Sequence, residues 1–369
     1  MENKLQLPPI YFYTTDITIA AGIERITLNL SNWFVRKGYD VTIVSNFKTN
    51  ANPAYPADSK IHFVFLSETP FGGSPGSVSR LKKFISNVGR VRSYFKNVRN
   101  AIIISQAFPN SFTYFLAMGK RNGNNVYTVE HVQYFYYGKA IRALRKIVYK
   151  KYGHVVTLTK RDYELYCARK IPACRIPNGM EIPVPENCVR QKKVVGIGRL
   201  DVQKNFCALI KVFAELHKEF PEWTLEIYGT GLLHDDLKSL ISFLKADSYI
   251  FLKGLTSDVN HVLSESSVFA LSSLWEGFPM VLLEAMSNGI ACASYDCPTG
   301  PGELIADGVN GLLVEEKSEA GLHDALKNLM SDDKLRIRLG AEAQKTAVSY
   351  SMENVGNMWL EMLSIPYRV

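Results

Sequence analysis

The feature that most constrains this chain is a change of apolar period that occurs twice along its 369 residues, in the same order each time. Residues 10–13 form a short continuous apolar run, closed by Thr14, Thr15 and Asp16, which reads as a buried strand. After Gly22 the period changes. Ile23, Ile26, Leu30 and Phe34 fall on one stripe of an amphipathic helix that Gly38 ends, and residues 41–44 return to a strand. Strand, helix, strand at this spacing suits a parallel pair joined by a crossover helix. Residues 101–104, 126–129 and 155–158 read as further strands.

A stretch punctuated by Pro177, Asn178, Gly179, Pro183 and Pro185 then interrupts the pattern and reads as a linker. Beyond it the alternation restarts. Strands are expected at 194–198, 225–228, 250–252, 268–271 and 290–293, and helices at 207–220, 235–244 and 280–287. Two such halves predict an α/β protein of two Rossmann-like domains facing each other. With 47% hydrophobic and 21% charged residues, each half can bury a core of its own. Ligands of such sheets sit beyond the carboxyl ends of the strands, so the loops there carry the chemistry.

Several classes are disfavoured. No run of about 18 apolar residues is present to span a bilayer. Residues 1–10 lack the basic start and apolar stretch of a signal peptide, so the chain is expected to remain in the compartment of its synthesis. The six cysteines, at 167, 174, 188, 207, 292 and 297, match no zinc or disulfide spacing and are assigned no chemistry. The net charge of +8 is unevenly placed: between Thr69 and Arg161 there are 17 Lys and Arg and one acid, Glu130. That segment includes 139–151, with Ile141, Leu144 and Val148 on one stripe and Arg142, Arg145 and Lys146 around it. It also includes 80–99, where Phe84, Val88, Val91 and Phe95 are interleaved with basic residues from Arg80 to Arg99. Core-facing helices with solvated charges and a face for an anionic partner both fit this pattern. No helix-turn-helix, zinc or RNA-binding signature accompanies it, so no nucleic-acid partner is expected.

The densest local signal runs from Leu274 to Glu284. Pro279 fits a first helical position, where its missing N–H is no loss. The amides of Gly277, Phe278, Met280 and Val281 then converge at the helix start as a seat for an anion. Glu276 precedes that helix and Glu284 lies one turn inside it. Arg199 and Lys204, in another loop between strand and helix, are suited to clamp a diphosphate from two sides. Gly229 and Gly231 at a third strand end allow either close approach to a ligand or a tight turn.

Together these residues resemble retaining glycosyltransferases of sequence family 4, with the GT-B fold. Ala21 to Arg25 is similar to the family's glycine loop, Ile176 to Gly179 to its hinge, and Gly300 to Val314 to its late C-domain signature. The resemblance implies an N-terminal acceptor-binding domain over 1–180, a nucleotide-sugar-binding domain over 181–350, and a helix in 351–369 that crosses back. It implies that Arg199 and Lys204 neutralise the departing diphosphate, that Glu276 binds donor-sugar hydroxyls, and that Glu284 binds the ribose. Gly277, Phe278, Pro279 and Met280 would contact sugar and phosphate through backbone, and Gly22 would let its loop approach the phosphate. His131 matches the family's histidine near the donor sugar.

The implied activity is transfer of a hexose or N-acetylhexosamine from a UDP-sugar to a lipid-linked or glycan acceptor of a bacterial surface polysaccharide. The UDP preference rests on the likeness of 296–301 to transferases using such donors. No metal is expected, since no Asp-x-Asp is present and two cations take its place, and no cofactor is expected. The basic face is expected to meet an anionic membrane surface, placing the enzyme on the inner face of the cell membrane. A nucleotide-sugar epimerase or hydrolase on the same fold is the alternative.

Overall fold

A computed structural model describes residues 7–70, 78–119, 125–151, 154–183 and 188–364. Pro185 of the expected linker, the first six residues and the side chain of Arg80 lie outside them. The chain divides into two compact units, Met1–Met180 with Met352–Val369, and Glu181–Ser351.

The first unit begins β1 (Ile10–Thr14), α1 (Gly22–Arg36), β2 (Val41–Ser45), β3 (His62–Phe65), α2 (Val78–Phe95), β4 (Ile102–Gln106) and α3 (Ala107–Met118). It continues β5 (Asn125–Glu130), α4 (Lys139–Lys151), β6 (Val155–Thr157), α5 (Lys160–Cys167) and β7 (Ala173–Arg175). Among the described residues its seven strands are all parallel, in the order β3-β2-β1-β4-β5-β6-β7. Every residue of β2 and β4 is buried, as a parallel sheet covered on both faces demands.

The second unit runs β8 (Gln191–Ile197), α6 (Phe206–Leu216), β9 (Thr224–Tyr228), α7 (His234–Phe243), β10 (Ile250–Gly254), α8 (Val259–Ser264) and β11 (Ser266–Leu271). Then come α9 (Met280–Ser287), β12 (Ala291–Asp296), α10 (Pro301–Leu304), β13 (Leu312–Glu315), α11 (Glu319–Ser331) and α12 (Asp333–Val348). Its six parallel strands lie in the order β10-β9-β8-β11-β12-β13 over a core that includes Phe213, Trp223, Leu225 and Leu326. A last helix, α13 (Met352–Ser364), packs on α1 of the first unit. There Gly356 lies under the buried Trp33 ring, and the Trp33 indole donates to Glu353 at 2.9 Å.

Both sheets share one topology. The chain fills three strands outward on one side (β1 to β3, β8 to β10), then returns to the other side of the first strand with β4 or β11. The crevice for a ligand opens at that reversal, beside the carboxyl ends of β1 and β4 and of β8 and β11.

Three strands do not coincide with an expected apolar run: β3, β7 and β13. All three are sheet edges of three or four residues, and none of their residues is fully buried. An edge strand keeps one flank in water and has no need of a continuous apolar run.

The basic helices require a correction. Arg145 does not belong to an exposed face. It is buried, with its guanidinium 3.1 Å from the Glu130 carboxylate, donating to the Tyr134 carbonyl and the Tyr166 hydroxyl inside a ring of tyrosines. A charge can be held there because its partner acid is equally buried and hydrogen-bonded, by the Tyr149 hydroxyl. Val91 and Phe95 of α2 are likewise core residues, whereas Lys82, Lys83, Lys139, Lys146 and Lys150 stay exposed.

Candidate active site

The second unit brings its site together from four loops at the carboxyl edge of its sheet. The β8–α6 loop and the β11–α9 loop flank the reversal of strand order, and they are laced by hydrogen bonds. The Leu274 amide donates to the Gln203 carbonyl at 2.8 Å, the Gln203 side-chain amide to the Trp275 carbonyl at 2.8 Å, and the Ser272 hydroxyl to the Lys204 carbonyl at 2.9 Å. This lacing sets Lys204 against Glu276: Nζ lies 2.7 Å from Oε1, with the two side chains 14% and 8% exposed. The Ser273 hydroxyl donates to the same carboxylate oxygen at 2.7 Å. The β12–α10 loop closes the third side, where the Thr299 hydroxyl donates to the Glu276 carbonyl.

Backbone conformation carries part of the geometry. Asn205, at the start of α6, is left-handed with φ of 49°, a state that asparagine tolerates better than most residues. The Lys204 stem lies across Gly198, where an added Cβ would meet Lys204 Cε at 2.7 Å. Gly229 has φ of +143°, and a Cβ there would overlap the Gly198 carbonyl oxygen. Gly231 is pressed in the same way on the Leu200 backbone. The two open readings of this glycine pair are thereby narrowed: contact between the β8 and β9 loops already requires both glycines.

Helix starts differ across this unit. The first turns of α8, α11 and α12 are capped by the side chains of Asp258, Ser318 and Asp332. Those of α6, α7, α9 and α10 receive no side-chain cap. The first amides of a helix have no partner within it, so α6 and α9 keep theirs available, with the positive end of the helix dipole, at the crevice. Helix α9 begins at Met280 with Pro279 just before it as the cap residue, one position from the expected placement. The Phe278 ring is buried, 5.8 Å from Tyr350, which leaves its backbone to serve the loop. Glu284 is in the second turn of α9 and is buried.

Arg199 is in the same loop as Lys204 and is held differently. Its side chain is 75% exposed, and its guanidinium meets Asp201 and Gln203 at 3.2 Å each. An exposed arginine held only by its guanidinium can exchange Asp201 and Gln203 for an incoming anion, whereas Lys204 is already fixed against Glu276.

Gly22 and His131 belong to the first unit. Gly22 is exposed at the first position of α1, which has no side-chain cap, and a Cβ there would meet nothing within 4 Å. His131 follows β5 and shares a hydrogen bond of 2.7 Å between Nε2 and Gln106 Oε1. Burial lowers its pKa to about 4, so it is neutral at pH 7. Ser273, which orients Glu276, and Gln106, which orients His131, were not identified from sequence. Serine or glutamine at a strand end carries no distinguishing pattern; Ser273 meets Glu276 within one loop whose turn sequence alone does not specify, and Gln106 meets His131 only because β4 lies next to β5.

The comparisons agree with this architecture. The family described as "Glycosyltransferase Family 4" matches residues 20–182, and "Glycosyl transferases group 1" matches residues 182–346. The chain is 26% identical over 364 residues to an uncharacterized glycosyltransferase of Haemophilus influenzae, covering 96% of this chain and 99% of that one. It is 26% identical over 360 residues to the amylovoran biosynthesis glycosyltransferase AmsD of Erwinia amylovora, covering 94% and 97%. Among solved structures it is similar to a mutant of TarM from S. aureus in complex with fondaparinux, α-GlcNAc-glycerol and UDP. The TM-score is 0.80 at 17% identity, covering 97% of this chain and 100% of that one. With two adjoining family matches over paired parallel sheets, the chain belongs to the glycosyltransferases of the GT-B fold.

Proposed function

We propose that this glycosyltransferase moves a hexose or N-acetylhexosamine from a UDP-sugar to a lipid-linked or glycan acceptor of a bacterial surface polysaccharide, with retention at the anomeric carbon and without a metal. The observation that carries the reading is the Lys204–Glu276 pair at the strand-order reversal of the second sheet, beside two uncapped helix starts. Amylovoran synthesis by the Erwinia relative and UDP bound to TarM support the polysaccharide and the donor.

In this mechanism the α6 and α9 amides and Lys204 receive the donor diphosphate, and Arg199 swings in to complete the charge balance. Glu276, oriented by Ser273, accepts hydrogen bonds from donor-sugar hydroxyls, and Glu284 serves the ribose. As the glycosidic bond breaks, negative charge grows on the diphosphate. Preorganised cations and amides are strongest there, and removing one such donor costs about 10²–10³ in rate. The departing phosphate oxygen takes the acceptor proton on the same face of the sugar, which preserves configuration. Neutral His131 supplies a ring nitrogen near the sugar, and Gly22 admits the phosphate to its loop. The exposed lysines of α2 and α4 attract an anionic membrane on its inner face. Among the described residues, no helix is long and apolar enough to cross a membrane.

The test is incubation of the chain with UDP-, GDP- and ADP-sugars, with and without lipid-linked glycan, in EDTA. Transfer from a UDP-sugar that depends on acceptor, survives EDTA and yields a product with the donor's anomeric configuration is expected. Donor consumption without acceptor dependence, or an inverted product, would refute it.

A further inference from the structure

The connection that carries His131 leaves β5 at Glu130 and enters α4 at Lys139. Apart from one 3₁₀ turn, Tyr134–Tyr136, it is irregular. Its backbone is nevertheless held, and side chains hold it. The Tyr134 amide donates to Asp162 Oδ1 of α5 at 2.9 Å, and the Tyr134 carbonyl accepts from Arg145 Nη1 of α4 at 3.1 Å. Both main-chain polar groups of one loop residue are thus satisfied, each from a different helix. The Tyr134 ring is buried as well. It meets the Tyr166 ring edge-on with centroids 5.1 Å apart, and the Arg169 guanidinium lies over it at 4.4 Å.

Arg145 closes this arrangement back onto the strand end. Its Nη2, which donates to the Tyr166 hydroxyl, lies 3.1 Å from Glu130 Oε2, and the Tyr149 hydroxyl donates to Glu130 Oε1. Glu130 and Tyr134 bracket His131 in the chain, and one planar cation with donors in a fixed fork meets both. On a third side Gln106 of β4 holds the imidazole itself at 2.7 Å. The Arg145 and Glu130 side chains are each 2% exposed. Burial that deep costs the hydration of two charges, and apolar residues of similar volume are often as stable or more so. Stability alone therefore does not account for the pair. An apolar pair could fill the same space, but it could not fix a strand-end side chain and a carbonyl four residues later at one separation.

We propose that Arg145 and Glu130 are positioning residues for sugar transfer: they fix the connection from β5 to α4 so that His131 is presented in a single orientation. The inference rests on the place of His131 in the proposed function, and both residues act through His131 rather than on the substrate.

The test is a cycle between this pair and His131. Arg145→Met combined with Glu130→Gln removes both charges and keeps an acceptor for the Tyr149 hydroxyl, so no buried charge is left uncompensated. In the wild-type background it is expected to lower kcat by about 10²-fold, the cost of misplacing a group by about 1 Å. KM for the UDP-sugar should change by less than about twofold, since the donor contacts of the proposed function lie mainly on the second unit. In a His131→Ala background the same pair should lower kcat by less than about twofold, because residues that act through one group are not additive with its loss. Arg145→Lys keeps a charge opposite Glu130 but loses the planar fork. It should stay folded, read by urea denaturation, and still lose at least tenfold in kcat. In the wild-type chain, amide hydrogen exchange of the 131–137 peptide should be at least tenfold slower than that of the exposed loop 51–54.

Equal losses in the two backgrounds, wild-type kcat in either network variant, or exchange of 131–137 as fast as that of 51–54 would each overturn the inference. If both network variants fail to fold, the exchange measurement alone decides. A chain in which Lys204→Ala abolishes turnover while the cycle is additive keeps the functional reading and loses this inference. A chain that transfers no sugar loses the functional reading, and exchange still decides whether the network holds the His131 segment.

Discussion

Lys204 has two tasks in this site, and a double-mutant cycle with Glu276 separates them. In the structure its ammonium balances a carboxylate that is 8% exposed, at 2.7 Å. In the proposed reaction it meets the departing diphosphate. Lys204→Ala leaves Glu276 buried with the Ser273 hydroxyl as its side-chain donor. Breaking a buried ion pair by removing one partner costs about 3–5 kcal/mol, because the remaining charge is uncompensated. The residual exposure of Lys204 and the Ser273 bond place this case near the lower end, at about 3 kcal/mol. Removing both charges is different, since replacing a buried pair by neutral groups of similar shape is often close to neutral. The double variant Lys204→Ala/Glu276→Gln is thus expected to recover most of the stability that Lys204→Ala loses to the uncompensated carboxylate.

Activity should not recover with it. The cation that stabilises the leaving group is absent from both variants, so each is expected to lose about 10²–10³ in kcat. The assay is urea denaturation of wild type, each single variant and the double variant, followed by tryptophan emission. Trp223 and Trp275 report on the second unit, and Trp33 and Trp359 on the first. Turnover of a UDP-sugar is measured on the same samples. A double variant that regains both stability and turnover would refute the diphosphate role of Lys204. A Lys204→Ala protein as stable as wild type would refute the coupling between the two side chains.

Three further outcomes follow from local geometry. Gly198→Ala puts a methyl where the Lys204 stem lies and disturbs its pairing with Glu276, so kcat should fall by at least tenfold and stability should fall with it, checked by parallel kinetics and melting. Gly356→Ala drives a Cβ into the buried Trp33 ring and should destabilise the first unit by about 1–3 kcal/mol, read from its urea midpoint. Glu24 is buried near Asp16, and desolvation followed by that repulsion raises its pKa to about 6. A carboxyl whose folded pKa exceeds its unfolded value favours folding fully below the unfolded pKa of 4.5, and that contribution is lost as pH rises through 6. Glu24→Gln should therefore stabilise the chain by about 2 kcal/mol at pH 8, with the gain vanishing by pH 4.5, measured as melting temperature against pH.

What the sequence reveals of this protein depends on how local the determining physics is. The buried strands and α9 are legible because a parallel sheet covered on both faces needs continuous apolar runs, and the helices between them need one apolar stripe. The edge strands β3, β7 and β13 are not, because their environment is set by which strand lies at the end of the order. The site divides along the same line. Lys204 and Glu276 each stand out in a loop between strand and helix, but their 2.7 Å contact spans 72 positions and depends on β8 lying next to β11. Arg145 shows the converse. On its helix it looks like one more surface cation, and only the tertiary approach of Glu130 and four tyrosines makes burial its lowest-energy place. Its withdrawal from the basic face leaves Lys139, Lys146 and Lys150 exposed on α4, with the Arg142 guanidinium over the Phe135 ring at 4.9 Å. Charge counted along a chain thus locates a region, and burial decides which of its residues can meet a ligand.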